Sequence, residues 1–216
     1  MITSEPWTGK ISLPWGRCAW VLLSLLFFPS IIFHFGIPEI YIPFLSTLIA
    51  LPACFASSQT LGLKPLNRGD LSTVLIGYLA IVFLSLLVMP LWKNLLNTLP
   101  IDYAKQQDLL LLLPKCSRFQ LIQLFIAVCL ITPVVEETVF RRIIYGELVK
   151  INTVAAFILT SLAFSLMHFF ILGIPGLFIM GIFFQLTYLC RQNLAAAILM
   201  HSVVNCIAFI AALIKG

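Results

Sequence analysis

Apolar positions run almost without interruption along this chain, and the polar positions gather between the runs. Stretches with few or no charges cover residues 18–35, 40–58, 71–92, 119–135, 152–170, 173–190 and 194–214. About 20 apolar residues carry an α-helix across a hydrocarbon layer roughly 30 Å thick, so each run is a candidate span. None shows the two-residue alternation of a transmembrane barrel strand. The expected fold is therefore all-α, a polytopic transmembrane bundle of about seven spans.

Interruptions refine that picture. Pro29, Pro43 and Pro52 fall inside the first two runs, so kinks are expected there, and the second run is a candidate re-entrant segment. Residues 93–118 are mixed, with Asp102, Lys105 and Asp108 ahead of a leucine run, and suggest an interfacial amphipathic segment. No internal repeat is evident. The chain reads as one membrane domain, with an N-terminal transmembrane region at 1–118 and a helical core at 119–216.

Composition supports the same class. Of 216 residues, 61% are hydrophobic and 10% charged, and the mean hydropathy is +1.08. A soluble domain is about 45–50% apolar and about 25% charged, so a water-soluble globule is excluded, as are disorder, collagen and a disulfide scaffold. The net charge of +5 does not signal nucleic acid, because the basic residues lie between apolar runs, where they meet lipid headgroups and set orientation. With the N-terminus in the cytosol, Lys10, Arg17, Lys64, Arg68, Arg141, Arg142, Lys150 and Arg191 are inside, out of 13 Lys and Arg in all. The turns around 36–39 and 171–174 carry none, which favours that orientation. The first run lacks a small-residue cleavage pattern and reads as a retained span. The expectation is thus a multi-pass integral membrane protein, of the plasma or inner membrane if the source is bacterial. The six cysteines lack metal-type spacing and read as small hydrophobes.

Ionisable groups within a bilayer are costly and are functional candidates by default. His34 and Glu39 sit beside a Gly36/Pro38 turn and read as interfacial residues. Beyond residue 118 the apolar runs carry Glu136, Glu137, Arg141 and Arg142 in EETVFRR, His168 in FSLMH, and His201 and Asn205 in HSVVN. Glu137 and Arg141 are one helical turn apart and can form an ion pair, whereas Glu136 points about 100° away and is left as the free carboxylate. Taken alone, the four charges could equally be the wet end of a helix. A hairpin turning near Ile151 would bring Glu136 and His168 level, about 22 and 26 Å along their helices. His201 and Asn205 are also one turn apart and face one direction. No HExxH or GxSxG string occurs, and Ser165 and Ser202 lie too close to the histidines in sequence to face them on a helix.

The three strings, in this order, resemble the EExxxR, FxxxH and HxxxN signatures of the CPBP family of intramembrane glutamic proteases, which includes the type II CAAX prenyl endopeptidases and the abortive-infection-like membrane proteins. The resemblance covers Glu136 to Asn205 and places the signatures on helices four, five and seven. It implies an endopeptidase that hydrolyses a peptide bond in a membrane protein or lipidated peptide, from a site opening towards the cytosolic side, with the bilayer as partner and no nucleic acid. It further implies that Glu136 aided by His168 activates water, that His201 and Asn205 hold the oxyanion, and that Glu137, Arg141 and Phe164 support them. No cofactor is required on this view. The alternatives are a zinc site of metalloendopeptidase type through Glu136, His168 and His201, a non-catalytic immunity or partner-binding membrane protein of the same family, and a transporter.

Overall fold

The computed structural model describes residues 62–100 and 113–215, together with Leu45 and Ile49. The first two apolar runs apart from Leu45 and Ile49, including their three prolines, and residues 101–112 of the mixed 93–118 segment lie outside the described residues. Every described element is helical: α1 Arg68–Asn97, α2 Arg118–Leu148, α3 Thr153–Leu166, α4 Ile174–Arg191 and α5 Leu194–Lys215. A short 3-10 turn, Ile171–Gly173, leads into α4. Among the described residues four helices are long and apolar enough to cross a membrane, and this is an integral membrane protein. α1 turns Leu75, Leu79, Phe83, Leu86 and Leu91 outward, the face a lipid-exposed helix needs.

Local chemistry fixes the helix ends. A capping box between Asn67 and Asp70 opens α1, another between Ser117 and Gln120 opens α2, and Asn152 accepts from the amide of Ala155 to open α3. α1 continues through Asn97, so residues 93–97 of the mixed segment are the end of this helix.

The 152–170 run departs from expectation. α3 has 14 residues, about 21 Å of helix, which is too short to cross a hydrocarbon layer of roughly 30 Å. Past Leu166 the chain turns through Met167 and His168 to Phe169, whose φ is +50°. The Ser165 hydroxyl donates to the carbonyl of Ile174 at 2.7 Å, which folds the turn back onto the start of α4. His168 therefore sits in a turn and not on a helix.

α4 is the central element and packs against α1, α3 and α5, while α5 also packs on α2. The core between them draws on all five helices, with Ile81, Val139, Phe140, Phe164, Phe184 and Met200 at its centre. Both ends of α1 are tied across. At one, Arg191 Nε donates to Asp70 at 2.7 Å; at the other, Trp92 Nε1 donates to the carbonyl of Ile171 at 3.0 Å. α3 and α4 approach closely at Gly181, where a Cβ would lie 3.0 Å from the carbonyl oxygen of Ser161. Small residues at such crossings let membrane helices gain van der Waals contact where lipid supplies no hydrophobic drive.

Gly181→Val should accordingly lower the melting temperature in detergent by several degrees, because the obstructing atom is backbone. Gly146→Ala, with open space around its Cβ, should leave that temperature unchanged or raise it slightly. Differential scanning fluorimetry of the two variants beside the parent checks the contrast.

Candidate active site

α2 is irregular where the glutamates sit. Two π-helical stretches, Ile126–Ile131 and Thr138–Ile144, flank the α-helical turn Thr132–Glu137. Pro133 accounts for a missing bond in the first. The amide of Thr132 bonds to the carbonyl of Ala127, five residues back, so the next bond in that register would join Pro133 to Val128. Proline has no N–H to give. The amide of Asn205 on α5 supplies the donor instead, with Nδ2 at 2.8 Å from the Val128 oxygen. Asn205 thus satisfies a backbone group in the bilayer interior and keeps one amide hydrogen free.

Glu137 is fully buried and holds two neighbours. Oε2 accepts from Arg141 Nε at 2.9 Å, and Oε1 accepts from His201 Nδ1 at 3.0 Å. Arg141 is equally buried, its guanidinium 5.4 Å above the ring of Phe164, and its Nη1 reaches Gln185 Oε1 on α4 at 3.5 Å. The expected ion pair is present. The wet-end alternative is corrected, since Glu137 and Arg141 have no solvent-exposed surface and Arg142 is also buried. Two charges placed in a low-dielectric interior need each other, and removing one strands the other.

Glu136 points away from that pair. Its Oε2 is a buried oxygen with no hydrogen-bond partner, 3.9 Å from His201 Nε2. The carboxylate keeps 15% exposure and lines a cavity of about 90 Å³ with Phe140, Met167 and His168. Space of that size accepts several water molecules. His168 Nδ1 meets the carbonyl of Phe164 at 2.7 Å. A carbonyl only accepts, so Nδ1 carries the proton and Nε2 is the free nitrogen. Glu137 imposes the same tautomer on His201, whose Nε2 is the atom nearest Glu136.

The structure therefore brings Glu136 and His168 to one small cavity and sets His201 Nε2 3.9 Å from Glu136, with Glu137, Arg141 and Phe164 packed around the histidines. Phe164 contacts both histidine rings, at 4.9 Å from His168 and 5.7 Å from His201 between centroids. Asn205 lies one turn beyond His201, engaged with α2. Among the described residues no three His, Cys, Asp or Glu side chains come together as a metal-binding group. Sequence reasoning missed Phe140, Phe184 and Gln185. Phe140 could have been found four residues after Glu136 on the same face, and Gln185 as a fully polar side chain within an apolar run.

The type II CAAX prenyl endopeptidase Rce1-like family model matches residues 118–207, the stretch that contains this entire constellation. Over these residues, about two fifths of its length, the chain is similar to the Rce1-like family. It is also similar to the membrane-embedded CAAX protease MroQ of Staphylococcus aureus, with 41% identity over 85 residues, 36% of this chain and 34% of that one. The chain thus matches about a third of the length of that relative. No solved structure matches. Within the Rce1-like region every motif side chain has a partner or a place in the cavity wall, and the region begins where α2 begins.

Arg141→Ala should cost about 3–5 kcal/mol by leaving Glu137 with half of its compensation, read as a large drop in melting temperature or in yield of folded protein. Asn205→Asp should destabilise more than Asn205→Ala, because it sets a carboxylate against the Val128 carbonyl. The same thermal assay ranks the pair.

Proposed function

We propose that the protein is an intramembrane endopeptidase that cuts a peptide bond in a membrane-associated substrate, either a membrane protein or a lipidated peptide, with its N-terminus in the cytosol. The observation that carries this is Glu136, whose carboxylate lines a cavity large enough for water beside His168 and whose Oε2 is buried without a hydrogen-bond partner, 3.9 Å from His201 Nε2. Such an atom is costly unless water or substrate meets it.

In this mechanism Glu136 takes a proton from a water molecule held with His168 Nε2. The water oxygen bonds to the carbonyl carbon of the substrate. Negative charge then builds on the carbonyl oxygen, where the free amide hydrogen of Asn205 can donate. His201 can donate there only from a protonated Nε2, since its Nδ1–H is committed to Glu137. The C–N bond breaks as the proton held by Glu136 passes to the leaving amine. Glu137 and Arg141 take no part in bond changes; they hold the histidine. The family name and the printed name of the S. aureus relative support the protease class, and CAAX-type peptides are the first substrates to try.

A panel of fluorogenic peptides, prenylated and bare, should be cleaved by the purified protein in nanodiscs and left intact by Glu136→Gln and His168→Ala, with chelator making no difference. His201→Ala and Asn205→Ala should each lose on the order of 10²–10³ in rate, the cost of one oxyanion donor. Full activity in Glu136→Gln would sink the assignment. Sensitivity to chelator would restore the metal alternative, and silence from the parent protein would favour a non-catalytic family member.

A further inference from the structure

α4 carries none of the three motif strings, yet two consecutive residues on it meet the two partners of Glu137. Phe184 lies against His201 with centroids 4.6 Å apart and planes 22° from parallel, and Gln185 reaches Arg141. Both are fully buried.

We propose that Phe184 is a positioning residue for the reaction assigned above, on which this inference rests: its ring face sets the plane of the His201 imidazole and keeps Nε2 directed at Glu136. One hydrogen bond fixes one atom of a ring, and the contact from Nδ1 to Glu137 leaves the imidazole free to tilt about that contact. The terminal torsion of histidine is broad, and a tilt of about 30° within it moves Nε2 by about 1 Å. A face-on neighbour removes that freedom. Phe164 closes the other direction with its edge, 78° from the imidazole plane, and itself meets Phe184 edge-on at 5.8 Å.

Phe184 is in turn held by the backbone. Gly181, three residues earlier, lets α4 lie against the Ser161 backbone of α3, and Arg191 ties the far end of α4 to Asp70. The stacking ring is therefore mounted on the most constrained helix in the bundle. A displacement of 1 Å at a reacting group can cost about 10² in rate, which sets the scale of the effect.

Nuclear magnetic resonance of ring-labelled histidine in the intact protein tests this without relying on turnover. In the parent, the His201 ring protons should be shifted upfield by the Phe184 ring current, and the ring nitrogens should report a single Nδ1–H tautomer, the signals being assigned by their loss in His201→Gln. Phe184→Leu should abolish the shift and, with Glu137 still holding the Nδ1–H, broaden the ring signals as the imidazole samples several planes. Phe184→Met, which keeps the volume and removes the planar face, serves where the leucine variant does not fold. In the peptide assay either variant should lose about 10- to 100-fold in kcat with KM within about 2-fold. A parent spectrum without the upfield shift, ring signals as sharp in the variants as in the parent, or an effect confined to KM would overturn the proposal. If the parent cleaves no peptide, the protease assignment fails and the spectra still decide whether Phe184 sets the ring.

Discussion

The buried carboxylate of Glu137 joins the parts of this structure that matter for chemistry. It lies on α2, its cation Arg141 is one turn along the same helix, and its second partner, His201, comes from α5. A carboxylate with no access to water needs its lone pairs filled, and a histidine offered to it loses the choice of tautomer. One satisfied charge thus packs two helices together and fixes which nitrogen of His201 faces Glu136. Arg141 carries the same linkage onward to Gln185 on α4 and to the face of Phe164 on α3. Four of the five described helices meet on this one network.

The irregular backbone around the site belongs to the same scheme. In a bilayer, departures from α-helix are tolerated only where protein or a wet cavity satisfies the freed groups. The first π stretch leaves the carbonyl of Val128 without its donor because Pro133 has none, and Asn205 fills the gap. α3 stops short and its turn places His168 in the cavity wall, with Nδ1 tied back to Phe164. π-helical segments occur often at functional sites, and here they bracket both glutamates.

Much of this was legible in the sequence, and the missing parts have physical reasons. Run length and missing alternation gave helices, and the four-residue spacing of Glu137 and Arg141 gave their ion pair. Opposed faces separated Glu136 from Glu137, as found. Periodicity could not show that both glutamates approach the same imidazole, because that depends on where α5 crosses α2. It assigned 152–170 to one span because hydropathy does not register a turn whose polar groups are bonded internally, as Ser165 is to Ile174. Spacing could offer Asn205 as a donor; the carbonyl that takes one of its hydrogens exists only because a proline interrupts another helix. Phe184 was invisible for a simpler reason. A phenylalanine in an apolar run carries no signal until its neighbour is known to be a histidine.

Taken together, the contacts determine what kind of molecule suits the cavity. His168 and His201 are each anchored through Nδ1–H, so a neutral ring presents the Nε2 lone pair, and Glu136 adds an unpartnered carboxylate oxygen. All three atoms are acceptors when Glu136 is ionised, so the cavity calls for a donor. Water answers them with two hydrogens and a nucleophilic oxygen, and it fits the volume. The network around Glu137 thus does more than hold helices together: by committing the inner nitrogen of His201, it turns Nε2 towards Glu136, beside a carboxylate that can bind a water molecule and take its proton.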